Sequence, residues 1–264
     1  MAAPTSGPLA RERFAILGVL LALASLAWVF VIWQATSVRG SAMPKGMAAP
    51  ASLTMGMSAA LFLAVWIAMM VAMMFPSAAP MVLMYSAIAT GKRARGQTYA
   101  PTWIFVAGYL LVWSLAGVVA YLAALGLDNL ASNIRPLAEN AGRIGGSLLV
   151  VAGVYQFSPL KNMCLAKCRT PTQFLMTGWR GGNGGAFRMG FTHGVFCLGC
   201  CWLLFVILFP LGMMNIAALA LLSVLIFVEK TLPVGRLIAS LTGVALVGYG
   251  LLVVFVPTLL PGTM

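Results

Sequence analysis

Long apolar runs recur from one end of this chain to the other, and no polar stretch between them is long enough to build a water-soluble domain. A helix that crosses a bilayer needs about 20 predominantly apolar residues, because hydrocarbon offers backbone groups no partner. Seven segments meet or approach that length: 14–33, 57–88, 102–127, 137–158, 190–212, 215–227 and 237–256. With only 8% of residues charged and a mean hydropathy of +1.01, the expected fold is all-α. We expect one polytopic transmembrane helical bundle over 1–264, with 161–189 as its largest cytoplasmic loop. The sixth segment is the shortest and follows a turn at Gly212, so a re-entrant hairpin over the fifth and sixth is the alternative. Arg11 and Arg13 precede a first run that is longer than a cleavable signal core of about 7–15 residues, which reads as a retained signal anchor.

Orientation follows from Lys and Arg. Seven crossings put Arg11, Arg13, Lys92, Arg93, Arg95, Lys161, Lys167, Arg169, Arg180, Arg188, Lys230 and Arg236 on one side. Arg39, Lys45, Arg135 and Arg143 fall on the other. The richer side is cytoplasmic by the positive-inside rule, giving N-terminus in and C-terminus out. The same rule accounts for the net charge of +12. Nucleic acid is not an expected partner, because no basic face or nucleic-acid module accompanies the charge.

The polar residues inside these runs are few, and they cluster. His193-Gly-Val-Phe-Cys197-Leu-Gly-Cys200-Cys201-Trp202 holds the only histidine and three of the five cysteines. At about 100° per residue, with His193 at zero, Cys197 falls near 40°, Cys200 near 340° and Cys201 near 80°, so all four share one helix face. Polar groups at membrane depth are costly and mark function by default. Thiolate with imidazole suits a soft or borderline metal. A second pair, Cys164 and Cys168, is spaced as neighbours on a helix. The topology puts it on the same side as His193 and Cys197, so one joint site is open to both clusters. A reducing cytoplasm argues against structural disulfides. Free cysteines also serve as small buried hydrophobes, and thiol–disulfide exchange is the other chemical use.

Met69, Met70, Met73 and Met74 form a thioether stripe, at about 0°, 100°, 40° and 140° around their helix. Thioether is a soft ligand suited to Cu(I), and methionine also fills irregular helix interfaces. Pro76 withdraws the donor for the Ala72 carbonyl beside this stripe. Pro80 in the same span and Pro210 in the fifth also break the backbone ladder. Gly190 and Gly194 allow close helix approach beside His193. Met213, Met214 and Asn215 fall near the outer face. Glu229 at a span edge pairs with Lys230 or Arg236, or serves as a proton or cation ligand. Tyr155 and Gln156 are interfacial candidates.

Three blocks carry a resemblance. They are Trp66, Met69, Met70, Ala72, Met73, Met74, Pro76 and Pro80; Tyr155, Lys161, Cys164, Cys168 and Pro171; and Gly190, His193, Gly194, Cys197, Cys200, Cys201 and Trp202. With Asn215, Glu229 and Lys230, they resemble a bacterial family of metal-binding integral membrane proteins known as a domain of unknown function. The resemblance spans roughly 57–248 and implies metal binding, without naming a reaction.

Other chemistries are set aside. One histidine and four acids leave no room for a histidine-rich zinc hydrolase or a bis-histidine haem. No phosphate loop is present, and no Ser/His/Asp arrangement is evident. The expected function is soft-metal handling (transport, delivery or sensing) with Cu(I) as the metal and zinc compatible with the same ligands. Cys197, Cys200 and His193 are the expected primary ligands with Cys201 a further candidate on their face, Cys164 and Cys168 a cytoplasmic receiving or releasing site, and Met69, Met70, Met73 and Met74 weaker ligands along a path. Expected partners are the lipid bilayer and a membrane metalloenzyme or metallochaperone. A membrane thiol–disulfide oxidoreductase, or a structural subunit with buried cysteines, are the alternatives.

Overall fold

The structure is a computed structural model that describes residues 8–40, 52–134, 136 and 139–259, without the side chains of 8–10 and 38–40. Lys45, Arg135 and the side chain of Arg39, used above for orientation, lie outside the described residues, as do positions 137 and 138 of the fourth segment. The described residues are helical with no strand. The helices are α1 (Pro8–Gly40), α2 (Ala59–Ala94), α3 (Thr102–Asn133), α4 (Ala141–Tyr155) and α5 (Pro159–Arg169). They continue as α6 (Pro171–Gly178), α7 (Gly182–Val206), α8 (Leu208–Leu211), α9 (Ile216–Thr231) and α10 (Gly235–Phe255), followed by a 3-10 turn at Pro257–Leu259.

Five of these stretches are long and apolar enough to cross a membrane: α1, α2, α3, α7 with α8, and α10. The other two expected segments differ. The fourth breaks into α4 and α5, bent by 62°. The break has a local cause: Ser158 Oγ accepts the Lys161 amide at 3.1 Å and Pro159 fills the first turn, a strong start signal for a new helix. The sixth is α9, only 16 residues long. It begins after Gly212, whose φ of 91° reverses the chain in a conformation glycine adopts freely, and Asn215 caps it by accepting the Ala218 amide at 3.2 Å. The stretch read as a loop, 161–189, is largely helical, because α5, α6 and the first two turns of α7 occupy it. Pro76 and Pro80 sit inside an uninterrupted α2.

Packing pairs α3 with α7, α4 with α10, α1 with α2 and α5 with α7, while α9 rests on α2 and α10. The α3–α7 seam is backbone against backbone. Gly190 lies against the Phe105 carbonyl, and a Cβ on Gly108 would come within 2.9 Å of the Phe191 amide nitrogen. Small residues are what permit such approach. Gly190→Ala is therefore expected to destabilise the fold by about 1–3 kcal/mol through overpacking. Gly184→Ala, on the same helix with open space around it, is the neutral control. Thermal unfolding of the two variants in detergent separates these outcomes.

Two ends of the bundle are defined by contacts. At one, Thr90 donates to Glu12 at 2.7 Å, Lys92 lies over the Trp179 ring, and Arg169 donates to the Leu232 and Pro233 carbonyls. At the other, Asp128 accepts from Ser52 and from the Leu53 amide. Large apolar side chains face outward on α1, α3, α9 and α10, among them Phe14, Leu26, Val119, Leu122, Leu221 and Val244. Monomeric water-soluble proteins rarely expose apolar surface so extensively. The polar side chains of the site instead point inward.

Candidate metal centre

Helix α7 presents His193, Cys197, Cys200 and Cys201 to the interior, and all four are buried. Their shared face is the one the helical spacing requires. All five cysteines are free. Cys197 is the centre of the arrangement. Its Sγ lies 3.0 Å from Lys230 Nζ on α9 and 3.1 Å from Tyr109 Oη on α3. The same Lys230 ammonium donates to Met74 Sδ on α2 at 3.5 Å. Three helices besides α7 thus reach one point, and two soft sulfurs from different helices already hold a single cation.

Cys200 and Cys201 are turned toward their own helix. Both thiols donate to the Cys197 carbonyl, at 3.1 and 2.9 Å. The pair on α5 separates rather than acting as one unit. Cys164 Sγ seats on α7 at Gly199, where a Cβ would come within 2.8 Å of it. Cys168, one turn on, lies near Cys197 and Cys200. The bend between α4 and α5 makes this approach, because it lays α5 across the side of α7. The two cysteine clusters are therefore adjacent in space.

His193 sits in an aromatic setting. Its ring is stacked with Tyr109 and Phe105, with centroids 5.6 and 6.1 Å away, and meets Phe174 edge-on at 5.7 Å. Its Nδ1 is buried with no hydrogen-bond partner. Buried polar atoms are almost always satisfied, so this nitrogen on the cysteine face stands open to a partner, as do the Trp113 and Trp179 indole nitrogens. Met69, Met70 and Met73 are buried along α2 beside Met74, whose sulfur is the one that meets Lys230.

A second buried network flanks the first. Lys161 donates to Glu229 at 2.7 Å and to Gln156, and both charged side chains are almost wholly enclosed. Glu229 therefore pairs with Lys161, and not with Lys230 or Arg236 as the sequence reading held. Neighbouring positions on a helix differ by about 100°. That rotation sends Glu229 to α5 and Lys230 to the sulfurs. Tyr109 was missed from sequence, and Lys161 and Lys230, although both stand in the resemblance, were not given their roles. The available signal was charge at the end of an apolar run with too few acids to pair it.

As positioned, no group of three or more His, Cys, Asp or Glu side chains among the described residues is gathered tightly enough to hold a metal ion. The Met74 thioether lies outside that set of side chains. A structural zinc site needs a closed tetrahedral set of such ligands. Cu(I) accepts fewer ligands and favours thiolate and thioether, so the Cys197–Met74 donor set fits it.

Over the described residues the fold and this site define a helical protein with an interior thiol, thioether and imidazole cluster assembled from three helices, flanked by Lys230 and Tyr109 from two more. The chain belongs to the copper chaperone family PpoB2, whose sequence model matches residues 63–253. That range contains all ten candidate ligands. No curated protein and no solved structure matches the chain.

Proposed function

We propose that this chain is a multi-pass protein of the bacterial inner membrane that takes up Cu(I) at Cys197 and passes it to an acceptor protein. One observation carries the reading: Cys197 Sγ and Met74 Sδ, from different helices, meet on one cation at 3.0 and 3.5 Å. Copper is cargo here. Cys197 and Met74 are the first ligands. Cys200, Cys201 and His193 are ligands recruited as the ion seats. Cys168, which is partly exposed and lies near Cys197 and Cys200, is the transfer ligand, with Cys164 behind it. Met69, Met70 and Met73 are weaker thioethers along the approach through α2.

The outward apolar faces suit lipid, and the end bearing Lys92, Arg93 and Arg169 suits the cytoplasm by its basic charge. With the bent α4–α5 pair and α9 as crossings beside the five long helices, the N-terminus is inside and the C-terminus outside. The acceptor is a membrane metalloenzyme or a metallochaperone that meets the Cys168 end.

Elemental mass spectrometry on detergent-purified protein, prepared anaerobically and loaded with Cu(I), tests the reading. Near-stoichiometric copper in the wild type, lost in Cys197→Ser/Cys200→Ser, is the expected result. Absence of copper from the loaded wild type would reject it. The nearness of Cys168 to Cys197 and Cys200 also suits thiol–disulfide exchange. In that reading thiol trapping finds a pair that cycles with redox potential in metal-free protein.

A further inference from the structure

We infer that Lys230 is a built-in stand-in for the copper ion, a tethered cation that holds the Cys197 and Met74 sulfurs apart from cargo and competes with it for them. The inference rests on the copper reading above and adds to it the device that keeps binding weak enough for transfer.

The argument starts from a mismatch. A lysine ammonium is a compact, strongly hydrated cation whose usual buried partner is a carboxylate. Lys230 is buried and has no carboxylate among the described residues, because Glu229 beside it is engaged by Lys161 and that is the single salt bridge there. Its Nζ instead contacts two sulfurs, Cys197 Sγ and Met74 Sδ. Tyr109 Oη completes the setting from α3 through its contact to Cys197. Sulfur donors select soft cations, not ammonium. The position is thus right for Cu(I) and is filled by another singly charged cation.

Two like charges cannot share this space without strong repulsion in an interior of low dielectric. Cu(I) reaches both sulfurs only when the ammonium leaves. One positive charge enters and one departs, so the buried charge is unchanged by the exchange. The lysine has a route out. It stands one residue before the end of α9, at the basic end of the bundle, and a four-carbon stem lets an ammonium reach solvent while its methylenes stay buried. The return of the ammonium displaces the ion toward Cys168, so the same residue lowers affinity and speeds release.

The expected size follows from occupancy. A lysine that holds the sulfurs about nine-tenths of the time lowers apparent Cu(I) affinity about tenfold. Lys230→Leu, which removes the charge without adding a ligand, should therefore bind Cu(I) about tenfold tighter and release it correspondingly more slowly. Competition and stopped-flow release against a Cu(I) chelator, on the full chain in detergent, read both values. Lys230→Arg keeps the cation and should stay near wild type. A second measurement needs no variant. In the wild type, Cu(I) loading should increase labelling of Lys230 by an amine-reactive reagent, read by peptide mass spectrometry.

Unchanged or weaker binding by Lys230→Leu, with Cys197→Ser still losing copper, would overturn the inference and leave the copper reading standing. Unchanged labelling of Lys230 on loading would overturn it as well, even where Lys230→Leu fails to fold. A wild type that takes up no Cu(I) would remove both.

Discussion

Lys161→Met is expected to cost about 3–5 kcal/mol of stability, the largest loss from any single polar substitution in the chain. Lys161 and Glu229 are joined at 2.7 Å between α5 and α9, and each is nearly inaccessible. Removal of one partner strands the other charge in a dry interior, and that uncompensated charge is the source of the cost. Glu229 is already short of partners, because its Oε1 has none. The double variant Lys161→Met/Glu229→Met should recover most of the loss, because two apolar side chains of similar volume replace the pair. Chemical or thermal unfolding in detergent, run as a double-mutant cycle, measures the coupling. Equal effects of the single and double variants would show that the pair is not the origin of the loss.

Met74→Leu is expected to separate packing from ligation. Leucine replaces methionine at nearly constant volume, so stability should fall by less than about 1.5 kcal/mol. The thioether is gone, however, and with it the donor that meets Lys230 Nζ at 3.5 Å. Loss of one of two first ligands should weaken Cu(I) by at least tenfold in chelator competition, about 1.4 kcal/mol or more. Met69→Leu, Met70→Leu and Met73→Leu should each have a smaller effect, because these thioethers lie along the approach. Equal retention of copper by all four leucine variants would reduce the methionine block to packing alone.

The helical class and the inward cysteine face were legible because both follow from periodicity. His193, Cys197, Cys200 and Cys201 are one helix face in any helix that contains them, and a polar face in an apolar chain has to be buried. The methionine stripe on α2 was legible for the same reason. What faces these residues was not. Cys168 lies near Cys197 because α5 turns 62° away from α4, and the Ser158-Pro159 signal for that turn lies at the point where the fourth span was taken to end. Glu229 and Lys230 are adjacent in sequence, and adjacency suggested pairing. The helix sends them to different neighbours, and only the packing of α5 and α2 around α9 decides which. Tyr109 lies in an ordinary apolar run and gives no local sign of its place beside Cys197. Span number was partly legible: five helices are long enough by themselves, while the bent pair and the 16-residue α9 depend on tertiary context.

The thiols of Cys200 and Cys201 both end on one carbonyl, that of Cys197. A thiol is a weak donor, and a helix carbonyl lends it a modest resting place. Such ligands are sheathed rather than absent. Rotation about a single side-chain bond frees either sulfur, and the carbonyl keeps its own helical partner when the thiol departs. On the copper reading proposed above, the donor set around Cys197 can therefore widen and narrow around an ion with the backbone standing still. A carrier that must grip its cargo and then let go can do both by turning side chains on a fixed rod.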